Sequence, residues 1–216
     1  LVNVTIMLLI IIGGIGFVVW DDLQKKKLRV KEYLLHTKIV LTVTAILIFG
    51  GAAVYWLLER GNLMAGMDGT ETVLASLFAS VTARTAGFNT IDVGGMTSSS
   101  KLVTVMLMFI GGSPGSTAGG VKTTTFAVML VFVWANLRGS HGCNVFKRRL
   151  EEGEIRKASI VVTINLLLAV IAAAFICAVQ AFPMEDVLLE VFSAIGTVGM
   201  SSWITRGLGR ASRLSL

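Results

Sequence analysis

Two short runs of the same form, Thr85-Ala86-Gly87-Phe88 and Thr197-Val198-Gly199-Met200, stand 112 residues apart in a chain of 216. Their residue types point to one kind of chemistry, in which backbone carbonyl oxygens replace the water around a small cation. Successive carbonyls face one axis only if the backbone leaves its ordinary dihedral ranges, and glycine reaches φ > 0 without a steric penalty. Threonine adds a hydroxyl oxygen at the inner end of such a row. A lone Thr-Val-Gly carries little weight. Two Thr-x-Gly runs in a repeated frame carry much more, and they imply no covalent chemistry.

A second stretch is unusual for another reason. Gly111-Gly112-Ser113-Pro114-Gly115-Ser116-Thr117-Ala118-Gly119-Gly120-Val121-Lys122 separates two apolar pieces, Leu102–Ile110 and Phe126–Leu137. Glycine costs about 1 kcal/mol and proline about 3 kcal/mol relative to alanine inside a helix. Five glycines and Pro114 therefore predict one long span broken in its middle. Lys122 sits at this break. An ionisable group at membrane depth is functional by default, and the competing role is snorkelling to the cytoplasmic face.

The elements that must position these runs follow from hydropathy. The chain is 54% hydrophobic and only 15% charged, with mean hydropathy +0.79, which excludes a disordered chain and disfavours a soluble globule. Crossing a bilayer takes about 20 apolar residues. Val2–Trp20, Ile39–Leu58 and Ala158–Phe182 meet that need without a charge. Glu71–Val81 covers only about 16 Å as a helix, half a membrane, and Met184–Ile195, after Pro183, is a second half-length helix. Each precedes one Thr-x-Gly run. Irregular backbone at membrane depth is tolerated where it lines a cavity or is buried in protein, and a half-helix aimed C-terminus first at a pore adds negative potential. The fold class predicted is an all-α polytopic membrane protein of repeated span–pore-helix–span units. Residues 1–38 form the second span of a preceding repeat plus a linker, 39–157 a complete repeat, and 158–216 the first half of another.

Charge sets the orientation. Lys25, Lys26, Lys27, Arg29, Lys31 and Lys38 cluster after the first span, and Arg138, Lys147, Arg148, Arg149, Arg156 and Lys157 before the last. The positive-inside rule places both loops in the cytoplasm, so the net charge of +6 is topogenic and no nucleic-acid partner is expected. Cys143 and Cys177 fall at different membrane levels, which disfavours a disulfide. His36 and His141 both lie in the basic loops. There is no metal-type cysteine or histidine cluster.

Thr82-Ala83-Arg84-Thr85-Ala86-Gly87-Phe88-Asn89-Thr90, the Gly111–Thr125 run and Ser193-Ala194-Ile195-Gly196-Thr197-Val198-Gly199-Met200-Ser201 together resemble the membrane subunit of the Trk/Ktr/HKT potassium transporters. The Ser-Pro-Gly-Ser-Thr form of the glycine run is most similar to the bacterial KtrB/TrkH type. The resemblance covers nearly the whole chain. It implies four repeats around one pore, of which this chain holds the end of the second, all of the third and the first half of the fourth. It implies potassium at Gly87 and Gly199, within a filter of Thr85, Ala86, Gly87, Phe88, Thr197, Val198, Gly199 and Met200. It makes Gly111–Thr125, Lys122 included, an intramembrane gate. It further implies a multi-pass bacterial plasma-membrane protein, a homodimer, and a cytosolic nucleotide-binding (RCK/KTN-type) regulatory subunit. Asp21–Lys38 and Asn136–Lys157 are then its docking surfaces. The family's fourth repeat ends in a span bearing an arginine, whereas this chain ends at Leu216 after the basic run Arg206–Arg213.

Other classes weigh less. Gly115–Thr123 resembles a phosphate-binding loop, but Val121 separates the last glycine from Lys122 and no strand precedes it. An intramembrane hydrolase would use Ser113 or Ser116, with Lys122 as the base in reach. A sodium-coupled or sodium-conducting secondary transporter with discontinuous helices fits the break, but no carboxylate for proton coupling is expected at membrane depth. Arg84 is expected to brace the half-helix through Glu71 or Asp92. Asn89 and Asp92 are outer-vestibule groups or plain loop residues.

Overall fold

The computed structural model describes residues 1–27, 29–139, 144–145, 148–149 and 152–202. His141, Cys143, Lys147 and the basic run Arg206–Arg213 lie outside the described residues.

The chain opens with α1 (Val2–Ile15), which stops at Gly16, and α2 (Phe17–Lys26) leaves at 94° to it. This corrects the single helix expected over Val2–Trp20. The cause is a long-range contact. Gly16 has φ +90°, and a Cβ added there would lie 2.5 Å from the Pro114 carbonyl oxygen. The freed backbone groups find partners. The Ser113 N–H donates to the Gly14 carbonyl (3.0 Å) and the Phe17 N–H to that of Gly115 (3.3 Å). The Trp20 indole N–H donates to the Ile12 carbonyl (3.0 Å). Part of the expected cytoplasmic linker is thus helical. At its far end Asp22 is buried, pairs with Lys26 and accepts from the Leu34 N–H at 2.8 Å. Burial alone would raise its carboxyl, but the hydrogen bonds from Lys26 and Leu34 outweigh it and hold it down to about 2.

Among the described residues two helices are long and apolar enough to cross a membrane unbroken, α3 (Leu35–Glu59) and α7 (Glu152–Val179). Between them lie α4 (Gly69–Thr85), α5 (Ser98–Phe109) and α6 (Thr123–Leu137), and after them α8 (Met184–Ile195). The bounds of α8 match those expected from Pro183 and Gly196. By contrast, α4 runs four residues past Val81, because Thr82 to Thr85 contain no glycine or proline to stop the helix. A two-residue hairpin, β1 (Asn144–Val145) against β2 (Arg148–Arg149), is the exception to an otherwise helical chain among the described residues.

Small residues let the half-helix α4 approach α3 closely, as in other membrane helix pairs. A Cβ on Gly51 would sit 2.4 Å from Ser80 Oγ, and that hydroxyl donates to the Leu47 and Ile48 carbonyls (3.1 and 2.9 Å). α8 packs between α5 and α7, with Phe109 and Phe192 edge to face at 5.8 Å. At their outer ends, Lys101 of α5 is buried against Asp186 (2.8 Å) and Glu185 (3.4 Å) of α8. Acids in a first helical turn also suit the helix dipole. The outer face of α7, including Leu166, Leu167, Leu168 and Ile171, is exposed. Lipid tails are as apolar as leucine, so such a face carries no penalty in a bilayer.

Candidate functional site

The two Thr-x-Gly runs meet. Gly87 and Gly199 both have positive φ, +69° and +81°. A Cβ on Gly87 would fall 2.2 Å from the Val198 carbonyl oxygen, 3.0 Å from the Gly199 carbonyl carbon and 3.1 Å from the Met200 nitrogen. The first turn therefore lies backbone to backbone against the second. In the second turn exposure alternates. Thr197 and Gly199 are exposed, whereas Val198 (4%) and Met200 (3%) belong to the main hydrophobic core. Side chains that anchor behind the turn leave its backbone and the Thr197 hydroxyl on the open side.

Each turn is tied to its own half-helix, but differently. In the first, Thr85 is the last residue of α4, the Gly87 N–H donates to the Thr82 carbonyl (3.2 Å), and Thr82 Oγ1 donates to the Phe88 carbonyl (2.7 Å). Phe88 is exposed rather than anchored. In the second, the Val198 N–H donates to the Ser193 carbonyl (2.9 Å). Beyond it Glu190 of α8, 6% exposed, accepts from the Ser201 hydroxyl and from the Ser202 N–H (3.1 Å). This corrects the expectation that no carboxylate stands at this level. Glu190 is an acid inside the otherwise apolar run Val187–Ile195, apart from Ser193, and that isolation was the available signal.

The glycine-rich stretch forms a loop closed at its neck. Ile110 and Val121 make a parallel bridge, with the Gly111 N–H donating to Val121 (2.9 Å) and the Val121 N–H to Phe109 (3.1 Å). Inside the neck a Cβ on Gly111 would lie 1.9 Å from the Gly119 carbonyl oxygen. One shoulder of the loop, Ser113 to Gly115, rests on the α1–α2 bend through the bonds given above. The other reaches the second turn, where the Gly119 N–H donates to Thr197 Oγ1 (2.9 Å). Lys122 caps the start of α6 and turns its ammonium back onto the Ala118 carbonyl instead of extending away from the loop. Ser113 Oγ pairs with Thr123 Oγ1 (3.2 Å) and Ser116 Oγ donates to the Ser113 carbonyl (2.6 Å). Among the described residues neither serine bonds to Lys122, so the arrangement lacks the base contact a serine nucleophile needs.

Arg84 departs from expectation. Among the described residues no ion pair joins it to Glu71 or Asp92, which are exposed. Because α4 continues to Thr85, Arg84 falls inside the helix. It is buried beside a small cavity lined by Ile10, Ile11, Gly14, Thr44, Val81 and Thr85. Among the described residues its Nε and Thr44 Oγ1 have no hydrogen-bond partner. Asp92 Oδ1 accepts from the Gly94 N–H (3.1 Å) and Asn89 is exposed, as befits loop residues. No group of three or more His, Cys, Asp or Glu that could hold a metal occurs among the described residues.

Comparison with known proteins agrees with this frame. The chain is 37% identical over 211 residues to the "Potassium/sodium uptake protein NtpJ" of Enterococcus hirae, covering 95% of this chain and 47% of that protein. It is 37% identical over 214 residues to the "Ktr system potassium uptake protein B" of Bacillus subtilis, covering 98% and 48%. The chain thus spans about half the length of these relatives. The crystal structure of the potassium transporter TrkH from Vibrio parahaemolyticus superposes with a TM-score of 0.73 at 15% identity, over 92% of this chain and 45% of that one, which shows a shared fold. A family model described as "TrkH: Cation transport protein" matches residues 1–214. On that match and those identities, the chain belongs to the TrkH family of cation transport proteins.

Proposed function

We propose that the transporter carrying this chain takes up potassium across the bacterial plasma membrane through a filter of backbone carbonyls. Residues 85–88 and 197–200 form two of its walls. The observation that carries this proposal is the contact between the two turns, with both glycines at positive φ and the backbone of the second turn left open. Cations are desolvated at Gly87 and Gly199 and wait above a gate formed by Gly111–Lys122. Glycine at both positions favours potassium over sodium. Residues 1–38, 39–157 and 158–216 are the end of one repeat, a full repeat and the start of another. The basic segments Asp21–Lys38 and Asn136–Lys157 face the cytosol, where they meet a nucleotide-binding regulatory subunit, and two copies of the transporter pair in the membrane. The chemistry is transport, with potassium as cargo.

Rubidium uptake by potassium-starved, transport-deficient cells expressing the full-length protein tests this. Wild type is expected to take up rubidium in preference to sodium, and Gly87→Ser or Gly199→Ser to erode that preference. Selectivity indifferent to both substitutions would sink the filter assignment. A second reading, a sodium-coupled transporter with discontinuous helices, draws on the break between Phe109 and Thr123. Rubidium uptake that requires external sodium would favour it.

A further inference from the structure

Thr197 is the point where the glycine-rich loop touches the second turn, and its geometry is abnormal. Its φ is +52°. For a β-branched residue the left-handed region is a genuine outlier, and such strain persists only where the surroundings impose it. Here the loop is one of those surroundings. The Gly119 N–H donates to Thr197 Oγ1, and a Cβ on Gly119 would meet that oxygen at 2.4 Å, Thr197 Cγ2 at 2.7 Å and the Gly196 carbonyl oxygen at 2.9 Å. The loop docks only because residue 119 has no side chain. The corresponding Thr85 lies inside α4, and among the described residues no hydrogen bond joins it to the loop.

We infer that the docked loop and a cation at the inner end of the filter compete for Thr197 Oγ1. The inference rests on the filter proposed above. In the docked state the hydroxyl oxygen faces the positive hydrogen of a backbone N–H. A cation coordinated by the same oxygen would face that hydrogen at close range, and the two repel. Ion entry therefore favours the undocked loop, and by reciprocity undocking raises ion affinity by the same factor. The loop is a competitor of the ion, not merely a plug below it. A plug that ignores the ion would change the maximal rate alone.

The test uses the full-length transporter. Gly119→Ala prevents docking and leaves every filter residue in place. Competition predicts a half-saturating rubidium concentration lowered about fivefold or more, with a raised maximal rate and unchanged rubidium-over-sodium preference. An unchanged or raised half-saturation in an otherwise active variant would overturn it. A second readout does not depend on that variant folding. Ser116→Cys, in a background without native cysteines, reports undocking through its rate of modification by a thiol reagent in membrane vesicles. Rubidium should speed that modification several-fold relative to an impermeant organic cation. Adding Thr197→Val should make it fast and independent of rubidium, and Thr197→Ser, which keeps the oxygen, should restore the dependence. Modification that rubidium leaves unchanged or slows would also overturn the inference. A wild type without rubidium uptake would instead remove the filter proposal beneath it.

Discussion

The turns after α4 and α8 share a sequence pattern and a glycine at positive φ, and share little else. Gly87 is enclosed, with the Val198 carbonyl where a Cβ would be, whereas among the described residues nothing lies within 4 Å of a Cβ on Gly199. The first turn is tied by a neutral threonine bond from Thr82 to Phe88, the second by the buried carboxylate of Glu190. The second alone, among the described residues, receives the glycine-rich loop. A repeated motif thus fixes the backbone at its glycine, while each copy acquires its own support. In the filter proposed above, turns alike in sequence would differ in mechanics.

Substitutions at matched positions sharpen this contrast. The largest effect is expected from Gly87→Ser, where backbone collision adds to conformational strain. The cost is about 3 kcal/mol or more, read as lost rubidium uptake and reduced yield of folded protein in detergent. Glu190→Ala strips two donors of a charged partner, a loss of about 2–3 kcal/mol, and should lower both thermal stability and rubidium-over-sodium preference. Gly199→Ser pays conformational strain alone, about 1–2 kcal/mol. It should fold at near wild-type yield yet discriminate poorly between rubidium and sodium. Thr82→Val removes one neutral bond, worth about 1 kcal/mol, and should shift the melting temperature slightly with selectivity nearly intact. Equal losses of yield at Gly87 and Gly199, or a Thr82→Val effect as large as that of Glu190→Ala, would dissolve the distinction.

Much of this arrangement was legible in the residues because it is local. Pro183 and Gly196 bound α8 on both sides, and Pro114 with its glycines marked the interrupted span between Phe109 and Thr123. The family and its all-helical fold were legible from three motifs. What escaped depends on partners distant in sequence. The bend at Gly16 exists because Pro114 and Gly115 occupy the place of a continuing helix. Arg84 faces α1 and α3 because α4 keeps its helical phase through Thr85, and residues that permit either helix or turn do not announce which they adopt. Glu190 is hard to read from sequence because a single acid in an apolar run has no periodic signature. Only the fold brings Ser201 and Ser202 to it.

The bridge between Ile110 and Val121 has a kinetic consequence. It holds together the ends of a segment of only ten residues, 111–120. A segment of that length, joined at both ends, moves on the nanosecond-to-microsecond scale of loops once its docked contacts break. Control over such an element lies in its dwell time. Each 1.4 kcal/mol that a regulator adds to the docked contact lengthens the closed periods about tenfold, and subtracting the same amount shortens them equally. In the gate proposed above, the neck would make the loop a graded throttle, adjustable in small steps by anything that leans on its two shoulders.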